Sequence, residues 1–124
     1  MNVVDSSGWL EYFADAPNAS HFAKPLQTKS KLIVPTICLF EVFKVVLRER
    51  GEDAALQAAA LMRQGMAVDF DASLALLAAQ NSLTHKLPMA DSIILTTAQA
   101  YRATLWTLDD HFQGLPNVRY FPKA

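Results

Sequence analysis

Met1-Asn2-Val3-Val4-Asp5-Ser6-Ser7 is a short apolar run that meets an acid and then hydroxyls. Val3-Val4 reads as a strand that the chain enters at once. The spacing of Leu10, Phe13 and Ala14 predicts a helix from Ser6 to about Ala16. The same strand-to-helix step recurs along the chain. Lys31-Leu32-Ile33-Val34 is a strand stopped by Pro35, and Thr36 opens a helix to about Arg50, closed by Gly51. Its apolar stripe is Leu39, Val42, Phe43 and Val46. Met66 to Phe70 is a strand, and Asp71 caps a helix running to about Lys86. Thr104 to Leu108 is a strand ending at Asp109, and Val118 to Phe121 is the last. Between them lie a short Asn18–Thr28 helix interrupted by Pro25, a Glu52–Gln64 helix forming a hairpin with its predecessor, and a helix opened by Pro88 and running to about Arg102. Strands that alternate with helices, several of them continuous apolar runs, define an α/β fold. It has three layers: a mostly parallel central sheet of about five strands with helices on both faces.

The 124 residues suit one domain, residues 1–124. A hydrophobic content of 52% is ample for one core, and nothing in the composition is that of a disordered chain. With 11 basic and 12 acidic residues the net charge is −1, so any basic footprint for nucleic acid is local. Cys38 is the single cysteine, which excludes an internal disulfide and a cysteine-based zinc site, and its apolar surroundings predict a buried thiol. There is no signal peptide and no apolar run long enough for a membrane span, so a cytoplasmic protein is expected.

Four acids occupy the points where strands give way to helices or helices begin: Asp5, Glu41, Asp91 and Asp109. In parallel sheets ligands bind beyond the carboxyl ends of the strands, and one crevice there can hold all four. Two carboxylates about 5 Å apart at an effective dielectric of about 20 repel by roughly 3 kcal/mol, which a cation offsets. Oxygen ligands with no histidine or cysteine nearby suit Mg²⁺ or Mn²⁺ rather than zinc, one ion or two. Such sites act on phosphates, activating a water and neutralising charge in the transition state. Each acid also has a plain structural role. Asp5 and Asp109 are natural helix caps, Asp91 suits a helix N-terminus, and Glu41 stands one and two turns from Lys44 and Arg48. The structural roles leave Glu41 unexplained, because it sits in the apolar stretch Leu39-Phe40-Glu41-Val42-Phe43.

These segments, taken in order, resemble the motifs of the PIN-domain ribonucleases. Val3-Val4-Asp5-Ser6-Ser7 is similar to their opening strand, and Pro35-Thr36-Ile37-Cys38-Leu39-Phe40-Glu41-Val42 to the helix that bears their second acid. Leu87-Pro88-Met89-Ala90-Asp91-Ser92-Ile93-Ile94 resembles their third motif, and Leu105-Trp106-Thr107-Leu108-Asp109-Asp110-His111-Phe112 their fourth. Within that family the chain looks like a VapC-type toxin of bacterial and archaeal toxin–antitoxin pairs. The resemblance implies a PIN-like fold and endonucleolytic cleavage of RNA dependent on Mg²⁺ or Mn²⁺. It makes Asp5, Glu41, Asp91 and Asp109 the catalytic acids and metal ligands, with one of them taking a proton from the attacking water. Ser7 and Thr107 match the family's hydroxyl positions, where they hold a carboxylate or phosphate, or cap backbone amides. The family also implies a cognate antitoxin whose extended tail enters the acidic crevice, and a homodimer. The first helix and the helical hairpin are the expected surfaces for both. Many relatives carry another acid where His111 stands, which leaves open whether the fourth motif supplies one ligand or two and whether Asp110 or His111 takes part.

Lys44 and Arg48, on the Glu41 helix, are candidate RNA phosphate contacts or simply a solvated face. Trp9, Tyr12 and Phe13 are candidates for base stacking, although core packing is the commoner role. A haloacid-dehalogenase-like phosphatase needs a second Asp where Ser7 stands, no Gly-rich turn supports a dinucleotide-binding fold, and no G-x-S-x-G elbow supports a serine hydrolase. The alternative from another class is a PIN-like module that binds RNA or protein without cutting.

Overall fold

A computed structural model describes all residues 1–124. The elements in chain order are β1 (Asn2–Val4), α1 (Ser6–Phe13), α2 (Ala19–Gln27), β2 (Leu32–Pro35), α3 (Thr36–Arg50), α4 (Glu52–Met62), β3 (Met66–Val68), α5 (Ala72–His85), α6 (Met89–Ala100), β4 (Thr104–Thr107) and β5 (Val118–Tyr120). Single 3₁₀ turns at Lys29–Lys31 and Asp110–Phe112 precede β2 and follow β4. The five strands form one sheet in the order β3-β2-β1-β4-β5, and every pairing is parallel. The expected α/β architecture is therefore present, with a sheet that is parallel throughout.

The order of the strands locates the crevice. From β1 the chain steps outward to β2 and β3, then crosses to the other side of β1 to lay down β4 and β5. The reversal falls between β1 and β4, whose register pairs Val3 with Leu105 and Val4 with Trp106. At such a reversal the connections on either side run apart and open a cleft at the carboxyl ends of the strands. Asp5 is the first residue past β1, and Asp109 stands two residues past β4. The topology alone brings these two acids to one edge.

Successive strand residues point to opposite faces. Val3 and Val4 are both fully buried, and all four residues of β2 are buried, so both faces of the central strands are covered. The core includes Phe22 and Leu26 of α2, Cys38, Val42 and Val46 of α3, Met62 of α4, and Ile94, Leu95 and Ala98 of α6. Seven consecutive residues of α6, Ser92–Ala98, are buried. Two of its hydroxyls remain satisfied by bonding back to the helix, Thr96 to the Ser92 carbonyl at 2.6 Å and Thr97 to that of Ile93 at 2.8 Å. Cys38 is the buried free thiol expected, and burial pushes its ionisation upward. No helix is long and apolar enough to cross a membrane.

Local conformation moves several element ends. α1 stops at Phe13 rather than near Ala16, because Asp15 takes a left-handed conformation (φ 50°) that a helix cannot continue. α2 keeps Pro25 inside it. Pro25 lacks an N–H, a loss of about 3 kcal/mol in a helix interior. The burial of Phe22, Pro25 and Leu26 on one side offsets it. β3 ends at Val68, leaving Asp69 and Phe70 exposed and unpaired, since only β2 flanks this edge strand. Pro88 is the cap residue before α6 rather than its first helical residue. Gly8 marks where α1 crosses the sheet most closely: a Cβ there would stand 2.6 Å from Val4 Cγ1 and 2.8 Å from the Phe22 ring.

Candidate metal centre

Asp5 leaves β1 and turns its carboxylate back under α1. The Oδ1 atom accepts hydrogen bonds from Ser7 Oγ at 2.6 Å and from the Gly8 amide at 3.1 Å. Its Oδ2 atom accepts one from Thr107 Oγ1 at 2.8 Å. Asp5 thus caps α1, and it does so while held from β4. Three donors occupy three of roughly four lone-pair positions on a carboxylate, which leaves one on Oδ2 to give away. Asp5 is 3% exposed. Burial pushes its carboxyl up to about 6, the three hydrogen bonds pull the other way, and the nearby Asp109 charge adds to the rise.

The two hydroxyls tie the strand ends together. Thr107 Oγ1 donates to Asp5 and accepts the Asp109 amide at 2.8 Å, so one buried atom links two acids that are distant in sequence. Ser7 Oγ likewise donates to Asp5 and accepts the Leu108 amide at 3.2 Å. Both readings of these hydroxyls hold at once: each holds a carboxylate and each receives a backbone amide.

Glu41 lies on the second turn of α3. Its Oε1 accepts from Ser6 Oγ at 2.7 Å, which joins α3 to the residue next to Asp5. It forms no ion pair with Lys44 or Arg48. Lys44 Nζ lies 5.7 Å over the Phe40 ring, and Arg48 pairs with Glu49 at the surface at 3.6 Å. The pairing that gave Glu41 a plain structural role is absent.

Asp91 stands in the first turn of α6, half-buried, with its carboxyl pushed up to about 6. Burial is the main cause, the Asp109 charge adds to it, His111 opposes it and Glu41 contributes a smaller rise. Asp109 Oδ1 caps the following 3₁₀ turn by accepting the His111 amide at 2.9 Å. The ring of His111 then reaches both acids, with Nδ1 3.0 Å from Asp91 Oδ2 and 3.0 Å from Asp109 Oδ1. The negative charge of Asp109 comes first among the causes that raise the proton affinity of this imidazole.

The expectation of a pocket with no histidine near the acids is corrected here. His111 sits two residues past Asp109 on a three-residue turn, and the buried Phe112 anchors that turn in the core. The signal in the sequence was this short spacing, which alone does not say which way the ring faces. Asp110 points to solvent outside the cluster. Trp9 is a core residue stacked on Phe13 at 5.6 Å, so its ring is not open to a base.

A divalent cation fits this donor set. One ligand atom from each of Asp91, Asp109 and His111 lies within 4.8 Å of the others. Asp91 Oδ1, Asp109 Oδ2 and Glu41 Oε2 have no protein hydrogen-bond donor, and each is free to coordinate. Beside the pocket, from Ser7 and Leu108, a groove of about 540 Å³ runs between α1 and the α3–α4 hairpin, lined by Leu10, Phe13, Val46 and Leu61.

The fold and this cluster define a class: an α/β protein with acids gathered at the topological switch of a parallel sheet. The chain belongs to the PIN domain family, whose sequence profile matches residues 3–117. No curated protein matches it closely in sequence. Solved structures share its fold. A toxin–antitoxin complex from Klebsiella pneumoniae contains a chain that superposes with a TM-score of 0.84 at 20% identity, covering 99% of this chain and 100% of that one. VapC20 of Mycobacterium tuberculosis, described as a toxin cleaving the sarcin–ricin loop, gives 0.77 at 17% identity over 94% of this chain and 95% of that one. VapBC2 from Rickettsia felis, solved on a DNA fragment from its promoter, gives 0.74 at 15% identity over 98% and 97%.

Proposed function

We propose that this chain, acting as one domain over residues 1–124, is a metal-dependent endoribonuclease of the VapC type, the toxin of a toxin–antitoxin pair. The observation that carries the reading is Thr107. Its buried hydroxyl holds Asp5 by one hydrogen bond and the Asp109 backbone by another, so two acids are fixed at one strand edge against their mutual repulsion. Membership of the PIN domain family and the likeness in fold to VapC proteins support the same reading.

Asp5, Asp91, Asp109 and Glu41 are the residues that would hold Mg²⁺ or Mn²⁺. The ion, when bound, lowers the pKa of a water and neutralises charge on the phosphodiester. The protein's own part is positioning. Asp5 is locked in one rotamer by Ser7, Gly8 and Thr107, and it offers its one open lone pair on Oδ2. One of these carboxylates would take the proton of the attacking water, and Asp91, whose Oδ1 accepts no protein hydrogen bond, is the candidate. Glu41 is steadied by Ser6 and lies near enough to Asp91 for its charge to act there. Lys44 and Arg48, both exposed on α3, are the proposed contacts to flanking RNA phosphates. The groove between α1 and the α3–α4 hairpin is the proposed seat of a cognate antitoxin's chain. A homodimer is also proposed, and exposed Phe40, Leu76, Leu83 and Met89 are among the apolar side chains available to a second copy. The compartment is the cytoplasm, where RNA is available.

The test is cleavage of a mixed RNA pool by protein stripped with EDTA. Cutting is expected to be absent in EDTA, to return with Mg²⁺ or Mn²⁺, and to fall on the order of 10²–10³-fold in Asp91→Asn, the scale for losing one preorganised electrostatic group. Cutting that persists in EDTA overturns the reading.

A further inference from the structure

His111 is placed as no acid-only pocket requires. Its ring nitrogen Nδ1 stands 3.0 Å from an oxygen of Asp91 and 3.0 Å from an oxygen of Asp109. A cation bound at about 2.1 Å with octahedral geometry holds adjacent ligands about 3.0 Å apart, and both of these edges have that length. The ring is also held in place. Its residue's amide is bonded to Asp109 Oδ1 at 2.9 Å, and the neighbouring Phe112 is fully buried, so the turn that presents the ring is anchored on both sides. Nδ1 faces the acids from the solvent side of the pocket, because His111 is exposed while Asp91 and Asp109 are partly buried.

We propose that His111 contributes a nitrogen ligand to the cation bound by Asp91 and Asp109, and that this nitrogen turns the pocket's preference from Mg²⁺ toward first-row transition-metal dications. The inference rests on the proposed function's reading of the pocket as a cation site. Its chemistry is general. Mg²⁺ is a hard ion that takes oxygen ligands and retains its water, whereas imidazole suits the later dications, whose affinity for mixed nitrogen and oxygen sites rises along the row. A carboxylate at position 111 would add a charge that favours Mg²⁺ as much as any other dication. The neutral imidazole adds a donor without that charge, so its contribution is selective.

The competing role is structural: His111 donates a hydrogen bond that orients Asp91 and never touches the ion. Two measurements on the full chain separate these roles. In the first, Co²⁺ and Mg²⁺ are titrated calorimetrically into EDTA-stripped wild type, His111→Asp and His111→Asn. The side chain is exposed, so both variants should fold, and circular dichroism checks this. The ratio of Co²⁺ to Mg²⁺ affinity is expected to fall about tenfold or more in His111→Asp, a loss at least as large as that from removing a ligand's supporting partner. It should fall comparably in His111→Asn, which keeps a hydrogen-bond donor but lacks the imidazole. In the second, pulsed electron paramagnetic resonance of the Mn²⁺-loaded protein should show nitrogen coupling in wild type and none in either variant. An unchanged affinity ratio, or wild-type spectra without nitrogen coupling, overturns the inference while leaving the cation site standing. A wild type that binds neither Co²⁺ nor Mg²⁺ removes the cation site itself, and this inference with it.

Discussion

Replacing Asp5 with asparagine should stabilise the metal-free protein. The Asp5 carboxyl is pushed from 3.8 up to about 6, because a buried charge is disfavoured and Asp109 repels it. A rise of roughly two units corresponds to about 3 kcal/mol of strain in the ionised form. The sign follows from proton counting. Between about pH 4 and 6 the native state holds a proton that the unfolded state has lost, so stability falls as pH rises through that window and is lowest above it. Asparagine imitates the protonated acid. Its carbonyl can still accept from Ser7 and Gly8, and its amide can donate to Thr107 Oγ1 at the position where Oδ2 accepted. Reversing that one bond returns part of the gain, so a net 1–2 kcal/mol is expected, on the order of a net hydrogen bond below the full figure. The assay is urea denaturation followed by circular dichroism in EDTA at pH 7.5 and again at pH 4. Asp5→Asn should be the more stable protein at pH 7.5 and should lose that advantage at pH 4, where native Asp5 is itself protonated and only the cost of the reversed bond remains. Saturating Mn²⁺ should reverse the order at pH 7.5, because only wild type gains the full binding energy. A variant less stable than wild type in EDTA at pH 7.5, or one whose advantage is the same at both pH values, shows that the buried Asp5 charge does not strain the fold.

Thr107→Val keeps the shape but removes the atom that links Asp5 to the Asp109 amide. A loss of about 1–3 kcal/mol in stability and a 10–100-fold weakening of metal affinity are expected by denaturation and calorimetry. Gly8→Ala drives a Cβ into Val4 and Phe22 at the crossing of α1 and the sheet, and overpacking of this kind costs about 1–3 kcal/mol. Thermal unfolding checks it, with an unchanged Tm as the contrary result. Protons compete with the ion at Asp5 and Asp91, both pushed up to about 6, so the apparent Kd for Mn²⁺ should rise by about one to two log units per pH unit below that point. A Kd flat from pH 7 to pH 5 contradicts the assignment.

How much the sequence disclosed depended on local chemistry. α3 runs over Thr36–Arg50 as read, because Pro35 bars an earlier start and Gly51, at φ 89°, ends it. α1 ends short of Ala16 because Asp15, not a glycine, supplies the left-handed residue, and an aspartate gives little warning of that. β3 stops short of Phe70 because an edge strand is ended by the lack of a second partner, which pattern does not record. In the pocket, Asp5 and Asp109 were legible from their places just past apolar strands. The bond from Ser6 to Glu41 and the approach of the His111 ring to Asp91 join segments 35 and 20 residues apart. Spacing within one segment carries no trace of such contacts. The sequence leaves the part of His111 open, since its place two residues past Asp109 does not say which way the ring faces.

The most direct measurement is an anomalous difference map from crystals of the chain soaked in Mn²⁺. A peak is expected at bonding distance from carboxylate oxygens of Asp91 and Asp109, at the cleft between β1 and β4. A fully soaked crystal with no peak there, or with its only peak outside the acids at that cleft, would contradict it.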